Sequence, residues 1–342
     1  MTTLELVPGL VTTREAIAAA YGCGTFQGIE PADEAGMVFV YSDPSAGAEY
    51  GYTFDGRAED DEFGPLYLYT GAGAKGDQEP SGRNSSLLTH AEKDRELHLF
   101  VAHGKVRGSG AMQQRYVGQM VLDPVQPYEQ RWAPGADGVL RRVLVFRLRP
   151  VPGSTLDEAN PIEPATQDTL IELPEPPKAS QPPAKPVKVP QQTTAKDKQT
   201  EQHATAQTTA NVTGGKREVI RREGQLVTAF EAHLTSLGHT VKSFQITVKG
   251  ERGTLVPDLY DATDNALYEA KGKSRREDVR MAIGQLLDYR RHIGAPPGLR
   301  LVVLLPSHPS DDVRDLLTTE GIHLVVQTEA GFDGFPLPAA SV

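Results

Sequence analysis

The feature that most constrains the fold of this 342-residue chain is the stretch 151–213, which is rich in Pro, Thr, Gln, Ala and Lys. It contains runs such as P-E-P-P-K and Q-Q-T-T-A-K-D-K-Q-T-E-Q. Apart from 169–173, this composition has little apolar surface to bury and is typical of a semi-extended, disordered tether. The sequence therefore predicts two domains, 1–150 and 214–342, joined by a flexible linker.

Cysteine usage and hydropathy suggest where the protein works. Cys23 is the single cysteine, so no intrachain disulfide can form and a reducing compartment is expected. The first ten residues lack the basic start and apolar run of a signal peptide. No apolar run approaches the roughly 20 residues that a membrane span requires. We expect a cytoplasmic protein without membrane contact.

The formal net charge of −10 argues superficially against a nucleic-acid partner. Two local basic clusters nevertheless offer positive charge that could contact a nucleic acid. The members of these clusters are Lys271, Lys273, Arg275, Arg276 and Arg280 in the C-terminal third, and Arg141, Arg142, Arg147 and Arg149 in the N-terminal half. The sequence alone leaves open whether either cluster forms a continuous phosphate-binding track.

The most informative chemistry lies in the run P-D-L-Y-D-A-T-D-N-A-L-Y-E-A-K. It predicts a β-hairpin with strands at 255–260 and 266–270 and a turn between them. Alternation along the second strand puts Glu269 and Lys271 on the same face. Asp258, on the other arm, can reach the same spot. Two carboxylates and a lysine thus converge at one place.

This set of side chains suits the hydrolysis of phosphodiesters. Carboxylate oxygens are ligands that Mg²⁺ prefers, and Mn²⁺ can substitute for it. The metal would stabilise charge on the phosphate and help to generate the attacking hydroxide, and Lys271 would orient the water or neutralise the developing oxyanion.

An amphipathic helix is predicted upstream, at 222–238, with Gly238 as its stop. Its apolar stripe consists of Leu226, Val227, Phe230, Leu234 and Leu237. Glu223 lies one turn before that stripe begins, so it faces inward, where a carboxylate needs a partner. A metal site nearby is a natural partner.

A second helix is predicted downstream, at 282–291. Gln285 and Tyr289 are four residues apart and lie on one face of it. A buried strand at 299–306 and a helix at 311–320 follow.

The ordered set, an inward-facing helical Glu, P-D in a hairpin, E-x-K on the returning strand and then Q-x-x-x-Y, resembles the RecB-like branch of the PD-(D/E)XK nuclease superfamily over 216–329. The resemblance implies an α/β nuclease domain that requires Mg²⁺. It implies metal binding by Asp258, Glu269 and Glu223. The catalytic residues it implies are Glu223, Asp258, Glu269, Lys271, Gln285 and Tyr289.

The N-terminal half is composed mostly of short strands and glycine turns. A capped helix is predicted at 13–20, where the sequence is T-R-E-A-I-A-A-A. The strand candidates are 37–41, 66–69, 97–101, 115–122 and 139–148. This pattern favours a compact, barrel-like β domain.

Residues 49–77 (E-Y-G-Y-T-F-D-G … L-Y-L-Y-T-G-A-G-A-K-G-D) resemble the SRA (YDG) family of modified-cytosine readers. The following N-S-S-L-L-T-H-A-E-K-D-R-E-L-H-L-F is similar to the restriction-enzyme branch of that family. The resemblance implies an SRA/PUA-like β-barrel that flips a base from the duplex and holds it between two tyrosines. An Asp and a Thr beside them read its polar edge.

Placed by motif, the base-binding residues are Tyr52, Asp55, Tyr69, Thr70, Gly71 and Gly73. Aromatic faces can stack on an extruded base and a carboxylate can accept from cytosine N4, while glycines allow close approach of the backbone. An acidic insert at 57–65 separates the two halves of the motif. It leaves Asp60 or Asp61 as alternatives to Asp55.

Together the resemblances imply a multidomain α+β protein that works as a modification-dependent, type IV-like restriction endonuclease. Its partner would be double-stranded DNA containing 5-methylcytosine or 5-hydroxymethylcytosine. Cutting both strands requires two copies, from a homodimer or from two recognition events. The alternatives are a DNA-repair nuclease that reads another lesion or a DNA shape, and a reader whose nuclease domain is inactive.

Overall fold

The computed structural model describes residues 4–50, 52–61, 63–156, 160–174, 199–294 and 297–338, without the side chains of residue 49 and of 199–217. These residues form two compact units. The first is built on 4–163 and the second on 164–174 and 208–338. Each unit has its own β-sheet.

Among its described residues the first unit contains three α-helices, α1 (Arg14–Tyr21), α2 (Pro44–Gly47) and α3 (Arg83–Leu88). Its strands are β1 (Val11–Thr13), β2 (Ile29–Ala32), β3 (Met37–Ser42), β4 (Gly56–Arg57), β5 (Tyr67–Thr70), β6 (Glu96–Lys105), β7 (Met112–Leu122), β8 (Tyr128–Pro134) and β9 (Leu140–Pro150). The predicted helix and all five predicted strands are confirmed, with ends that differ by a few residues. The helix begins as expected because Thr13 caps it by accepting from the Ala16 amide.

The sheet of the first unit follows the path β2-β3-β6-β7-β9-β5-β4, with β1 on β7 and β8 on β9. Its apolar cluster takes residues from most of these strands, among them Val40, Tyr69, Leu99 and Phe146. Among the described residues no pairing joins β2 to β4. The expected barrel is therefore a sheet with two ends around a shared core.

The second unit contains α4 (Gln199–Ser236) from residue 208 onward, together with α5 (Arg276–His292) and α6 (Asp311–Thr319). Its strands are β10 (Thr169–Leu173), β11 (Val241–Thr247), β12 (Thr254–Leu255), β13 (Leu259–Asp261), β14 (Ala266–Ala270), β15 (Arg300–Leu305), β16 (His323–Thr328) and β17 (Gly331–Asp333). They follow the path β10-β11-β13-β14-β15-β16-β17, with β12 on β11. The pairs β14–β15 and β15–β16 are parallel, and the other pairs are antiparallel.

Helices cover both faces of this second sheet. Leu267 of β14 packs in a cluster with α5 and α6, and its neighbour Tyr268 packs in another cluster with α4. All five residues of β14 are buried, as expected for a central strand covered on both faces. Among the described residues, no helix combines the length and the apolar character needed to cross a bilayer.

The predicted tether at 151–213 differs from the structure at both ends. Leu156 and Ile162 are buried, and a bridge joins Pro161 to Arg57 in the first unit. β10 pairs with β11 along five residues, and α4 already begins at Gln199. Short apolar runs inside a polar segment were enough to pack or pair. The remainder of the tether, 175–198, lies outside the described residues.

The predicted strand at 255–260 is two short strands, β12 and β13, because Pro257 lies between them and has no N–H for a ladder. β14 has the predicted bounds, and α4 ends two residues before Gly238, whose φ is +83°. α5 begins earlier than predicted, with Glu277 and Asp278 in its first turn, where acidic side chains favour a helix start.

Candidate functional site

The β13–β14 hairpin brings the predicted carboxylates of the second unit together. Leu259 pairs with Tyr268, so Asp258 lies beside the end of β14. Its carboxylate accepts from the Ala270 amide at 2.7 Å. The register of the hairpin thus fixes Asp258 next to Glu269.

Glu269 and Lys271 lie on the same side of their strand, as alternation predicts. Lys271 Nζ donates to Glu269 Oε1 at 2.6 Å, and both side chains are almost completely buried. The other oxygen, Glu269 Oε2, is buried and has no hydrogen-bond partner among the residues that the structure describes. A buried carboxylate oxygen without a partner is costly, so this position has an unused capacity to bind a cation or donor.

Glu223 reaches the same end of β14 from α4. Its Oε2 accepts from the Gly272 amide at 3.1 Å. A side chain at Gly272 would collide with the Val219 carbonyl of α4, so only glycine lets the helix approach this closely. The sequence reasoning did not identify Gly272, although a glycine directly after E-A-K was a visible signal.

Burial raises the pKa of all three carboxyl groups, and the charge of Asp258 adds to this rise for Glu269 and Glu223. Burial, and then the charge of Asp258, raises the pKa of Glu269 well above its ordinary value. Burial raises the pKa of Glu223 to about 7, against the opposing effect of Lys271, and burial also raises the pKa of Asp258. Burial would lower the pKa of Lys271, but the charges of Glu269 and Glu223 raise it overall. The lysine is therefore a cation throughout the neutral range.

The Q-x-x-x-Y pair also lies close to the carboxylates. Gln285 Nε2 donates to the Tyr289 hydroxyl at 3.1 Å, and Gln285 Oε1 is buried without a partner. Burial, and next the charge of Glu269, raises the pKa of Tyr289. The structure thus brings all six predicted catalytic residues into one neighbourhood at the end of β14.

The chemistry of this donor set fits a hard divalent cation. It offers three carboxylates, one of them with a free buried oxygen. The three groups do not all lie within 4.8 Å of one another, whereas His239, Asp261 and Asp264 do. In that second group, however, His239 Nδ1 is hydrogen-bonded to Asp261 and Arg300 is paired with Asp264, so these side chains are already engaged.

In the first unit Asp55 is buried, and each of its carboxylate oxygens accepts one hydrogen bond. Its Oδ1 accepts from the Thr70 amide at 2.6 Å, and its Oδ2 accepts from Ser42 Oγ at 3.0 Å. Ser42 Oγ in turn accepts from the Tyr67 hydroxyl. Burial raises the pKa of Asp55 to about 6, although the hydrogen bonds from Thr70 and Ser42 oppose this shift. This network fixes the carboxylate beside Thr70.

The structure favours Asp55 over the two alternative acids. Asp60 is paired with Arg57, and Asp61 is paired with Arg147 at 2.6 Å and Arg149 at 2.5 Å. These ion pairs hold the acidic insert against β9. Asp55 is the acid that contacts Thr70.

The two predicted stacking tyrosines differ in exposure. Tyr52 is partly exposed, and its hydroxyl donates to the Gly73 carbonyl at 2.9 Å while Arg141 lies over its ring at 5.9 Å. Tyr69 has only 4% of its surface exposed and belongs to the core. The accessible aromatic face of the predicted pocket therefore comes from Tyr52.

Two amides that the sequence reasoning missed brace the glycine loop. Gln78 Nε2 donates to the carbonyls of Gly71, at 2.6 Å, and Gly73, at 3.1 Å. Asn84 accepts from the Ala72 amide and donates to its carbonyl. A Cβ on Gly71 would lie within 3.0 Å of both amide side chains, so glycine is required there.

A second loop lies against Tyr69. A Cβ on Gly28 would collide with the Tyr69 hydroxyl, and the neighbouring Phe26 is 91% exposed. The loop is held by the buried Glu30, which accepts from the Phe26 and Gln27 amides, and by Arg14, which donates to the Gln27 carbonyl. An aromatic ring is thus presented to solvent on a well-braced backbone.

The arginines of the basic cluster in the first unit form ion pairs and hydrogen bonds within that unit. Arg142 is paired with Asp77, and Arg141 donates to the Tyr50 and Gly76 carbonyls. Arg149 is bonded to Asp123 as well as to Asp61, and Arg147 also contacts this network. These arginines do not form an open phosphate-binding track.

Comparison with known proteins assigns the first unit. Residues 9–169 match the family model described as "ScoMcrA-like, SRA domain". The N-terminal unit therefore carries an SRA domain of the ScoMcrA-like type, which continues past residue 150, where the predicted domain ended. No curated protein matches the chain.

Several solved structures resemble the chain over less than half of its length. One is "Sulfur binding domain and SRA domain of ScoMcrA complexed with phosphorothioated DNA" (28% identity, TM-score 0.33, 44% of this chain and 41% of that one). A second is "Structure of the Type IV phosphorothioation-dependent restriction endonuclease ScoMcrA" (28% identity, TM-score 0.33, 46% of this chain and 30% of that one). A third is "DNA recognition domain of the cytosine modification-dependent restriction endonuclease LpnPI" (16% identity, TM-score 0.32, 44% of this chain and 75% of that one).

Proposed function

We propose that this chain is a modification-dependent DNA endonuclease. Its first unit would bind a modified cytosine, 5-methylcytosine or 5-hydroxymethylcytosine, extruded from double-stranded DNA. Its second unit would hydrolyse a phosphodiester nearby with Mg²⁺, or with Mn²⁺ in its place. The observation that carries the proposal is the joint presence of an SRA domain and of the Asp258–Glu269–Lys271 cluster on one chain.

In the second unit, Asp258 and Glu269 would hold the metal, with Glu223 as a third carboxylate. When bound, the metal supplies charge neutralisation at the phosphate and a hydroxide at neutral pH. Lys271 stays protonated because its carboxylate neighbours raise its pKa, so it can donate to a phosphate oxygen as negative charge develops. Gln285 and Tyr289 would orient Glu269 and the water near it.

In the first unit, the base would stack on Tyr52 and meet Tyr69 on its inner side. Asp55, ionised above about pH 6, would accept from the exocyclic amine of cytosine, since a carboxylate has acceptor capacity beyond its two present bonds. Gly71 and Gly73 let the backbone approach the base. Phe26 is exposed on the loop whose Gly28 lies against the Tyr69 hydroxyl, and it is suited to fill the gap that an extruded base leaves in the stack.

Matched plasmids carrying cytosine, 5-methylcytosine or 5-hydroxymethylcytosine, incubated with the full chain and Mg²⁺, test this proposal. Cleavage confined to a modified plasmid is the expected result. Equal cleavage of all three would indicate a nuclease that reads a lesion or a DNA shape. Selective binding without cleavage under any metal would indicate a reader with an inactive nuclease domain. Because each chain holds one site, double-strand cutting should depend on a second copy.

A further inference from the structure

The hairpin between β6 and β7, residues 102–112, extends out of the first unit and is called the arm here. Residues 97–101 of β6 are buried, and the last three, His103, Gly104 and Lys105, are exposed. The arm is nevertheless ordered by backbone pairing, since Lys105 pairs with Met112 and the Val106 amide donates to the Ala111 carbonyl at 2.7 Å. It is a formed structure that contributes little to the core.

The arm emerges next to the base pocket. Val101, where burial ends, pairs with Ser42 of β3, and Ser42 Oγ donates to Asp55 in the pocket. From Val101 to Lys105 the strand advances four residues, or about 13 Å at the usual rise of a strand. That length is close to the width of a DNA major groove, about 12 Å. The tip of the arm can therefore reach the backbone of a duplex whose base lies in the pocket.

The charge of the arm is uncompensated. No Asp or Glu occurs in 97–122, whereas the arm within this stretch contains Lys105 and Arg107. Neither Lys105 nor Arg107 has an ion-pair partner among the residues that the structure describes. In the same unit, carboxylates pair with the arginines at positions 57, 83, 95, 131, 142, 147 and 149. The acidic unit thus neutralises most of its arginines and leaves the arm positive.

Three glycines shape the turn of the arm and leave open space around its backbone. Gly104, Gly108 and Gly110 have φ of +99°, +86° and +73°, and a Cβ on any of them would meet open space. Their conformation shapes the turn and keeps bulk away from the backbone, while Lys105 and Arg107 supply long cationic side chains. The cationic side chains of Lys105 and Arg107 on this narrow hairpin are suited to bind a polyanion, and they are not suited to bind an apolar partner.

We propose that the arm binds the phosphate backbone of DNA, with Lys105 and Arg107 contacting phosphates next to the nucleotide in the pocket. The proposal rests on the proposed function in that DNA is the partner. The arginines of β9 are engaged in contacts within the first unit, so the arm is proposed in their place as the source of contacts to the DNA backbone. Such contacts carry affinity and position the duplex, and they carry no base preference.

The salt dependence of binding tests the arm. The full chain in EDTA is titrated against a short fluorescent duplex with one 5-methylcytosine and against its unmodified counterpart, over a range of KCl concentrations. Lys105→Gln/Arg107→Gln should reduce the slope of log K against log [salt] by about 1.8, or about 0.9 for each lost contact, on both duplexes. The ratio of affinities for the two duplexes should stay at the wild-type value.

Lys93→Gln is the matched control, because Lys93 is exposed near the opposite end of β6. Its slope should equal that of the wild type, and Lys105→Arg/Arg107→Lys should also preserve the slope. A wild-type slope in the double Gln variant would overturn the arm proposal. If the wild type binds both duplexes equally, the reader function fails, but the slope on the unmodified duplex still decides the role of the arm.

Discussion

Asp55 in the first unit and Glu269 in the second are both buried carboxylates, but their surroundings differ. Asp55 has both oxygens engaged, by the Thr70 amide and by Ser42, and no other acid bonds to it. Glu269 has one oxygen on Lys271 and one without a partner, and Asp258 and Glu223 are close enough to raise its pKa. The Asp55 carboxylate has its hydrogen-bond partners within the protein. The carboxyl groups around Glu269 repel one another, and a bound cation would reduce that repulsion.

This difference matches what each chemistry requires. Reading the edge of a base needs a rigid acceptor, and hydrogen bonds within the protein supply that rigidity. Holding a metal against a phosphate needs several carboxylates in one place, although they repel one another while no cation is present. The predictions that follow test this contrast, from the largest expected effect to the smallest.

The largest effect is expected for cleavage. Asp258→Ala, Glu269→Ala or Lys271→Ala should reduce the cleavage rate by at least about a thousandfold, since each removes several kcal/mol of transition-state stabilisation. Binding to modified duplex should change little, because it depends on the first unit. Plasmid nicking and duplex binding, measured on the same preparations, check this. Rapid cutting by a variant, or by the wild type in excess EDTA, would contradict the metal site.

A smaller effect is expected for stacking in the base pocket. Tyr52→Ala should weaken binding to modified duplex by about 1–3 kcal/mol, because it removes the accessible aromatic face. Tyr52→Phe keeps the ring and loses only the hydrogen bond to Gly73, so it should bind almost as the wild type does. Tyr69→Ala is a poorer test, since truncating this buried ring also destabilises the core. Equal binding by Tyr52→Ala and wild type would make Tyr52 structural.

The pH dependence of recognition should follow Asp55, whose pKa is raised to about 6. Above that pH the carboxyl is ionised and accepts from the base, and below it the protonated group loses acceptor capacity. The preference for modified over unmodified duplex should therefore fall as pH decreases through about 6. Asp55→Asn should show a weaker preference that does not vary across this range. Anisotropy titrations in EDTA at several pH values measure both, and a flat wild-type profile would sink the role of Asp55.

The smallest effect is expected for stability. Asp258→Asn keeps an acceptor for the Ala270 amide and removes one negative charge from the cluster. Without metal it should raise the stability of the second unit by about 1 kcal/mol, since a pKa shift of one unit corresponds to about 1.4 kcal/mol. Asp55→Ala should instead destabilise the first unit by about 1–3 kcal/mol, because the buried Thr70 amide loses its acceptor. Thermal melts in EDTA compare the two, and shifts of the same sign would contradict the contrast.

Local patterns predicted much of the fold. The Thr13 cap, the turn before Ala266 and the alternation along β14 involve neighbours in sequence, so propensity and period were sufficient to place these elements. The segment 169–173 was noted only as an apolar exception within the tether and was not predicted as strand β10, because its pairing with β11 cannot be read from neighbours in sequence. The boundary after residue 150 was set too early for a similar reason, since Leu156 and Ile162 pack against distant residues.

The sequence by itself determined which groups can do chemistry here: P-D and E-A-K on a hairpin, Q-x-x-x-Y on a helix, and the Tyr52 and Tyr69 motifs flanking an acidic insert. Only the tertiary structure decided how their charges are used. Asp61 is neutralised by Arg147 and Arg149, Asp55 is not, and Lys105 on the arm has no ion-pair partner within the described part of the chain. The reason is that an ion pair depends on distance in space, and residues more than 80 positions apart in sequence meet only when the strands between them have paired.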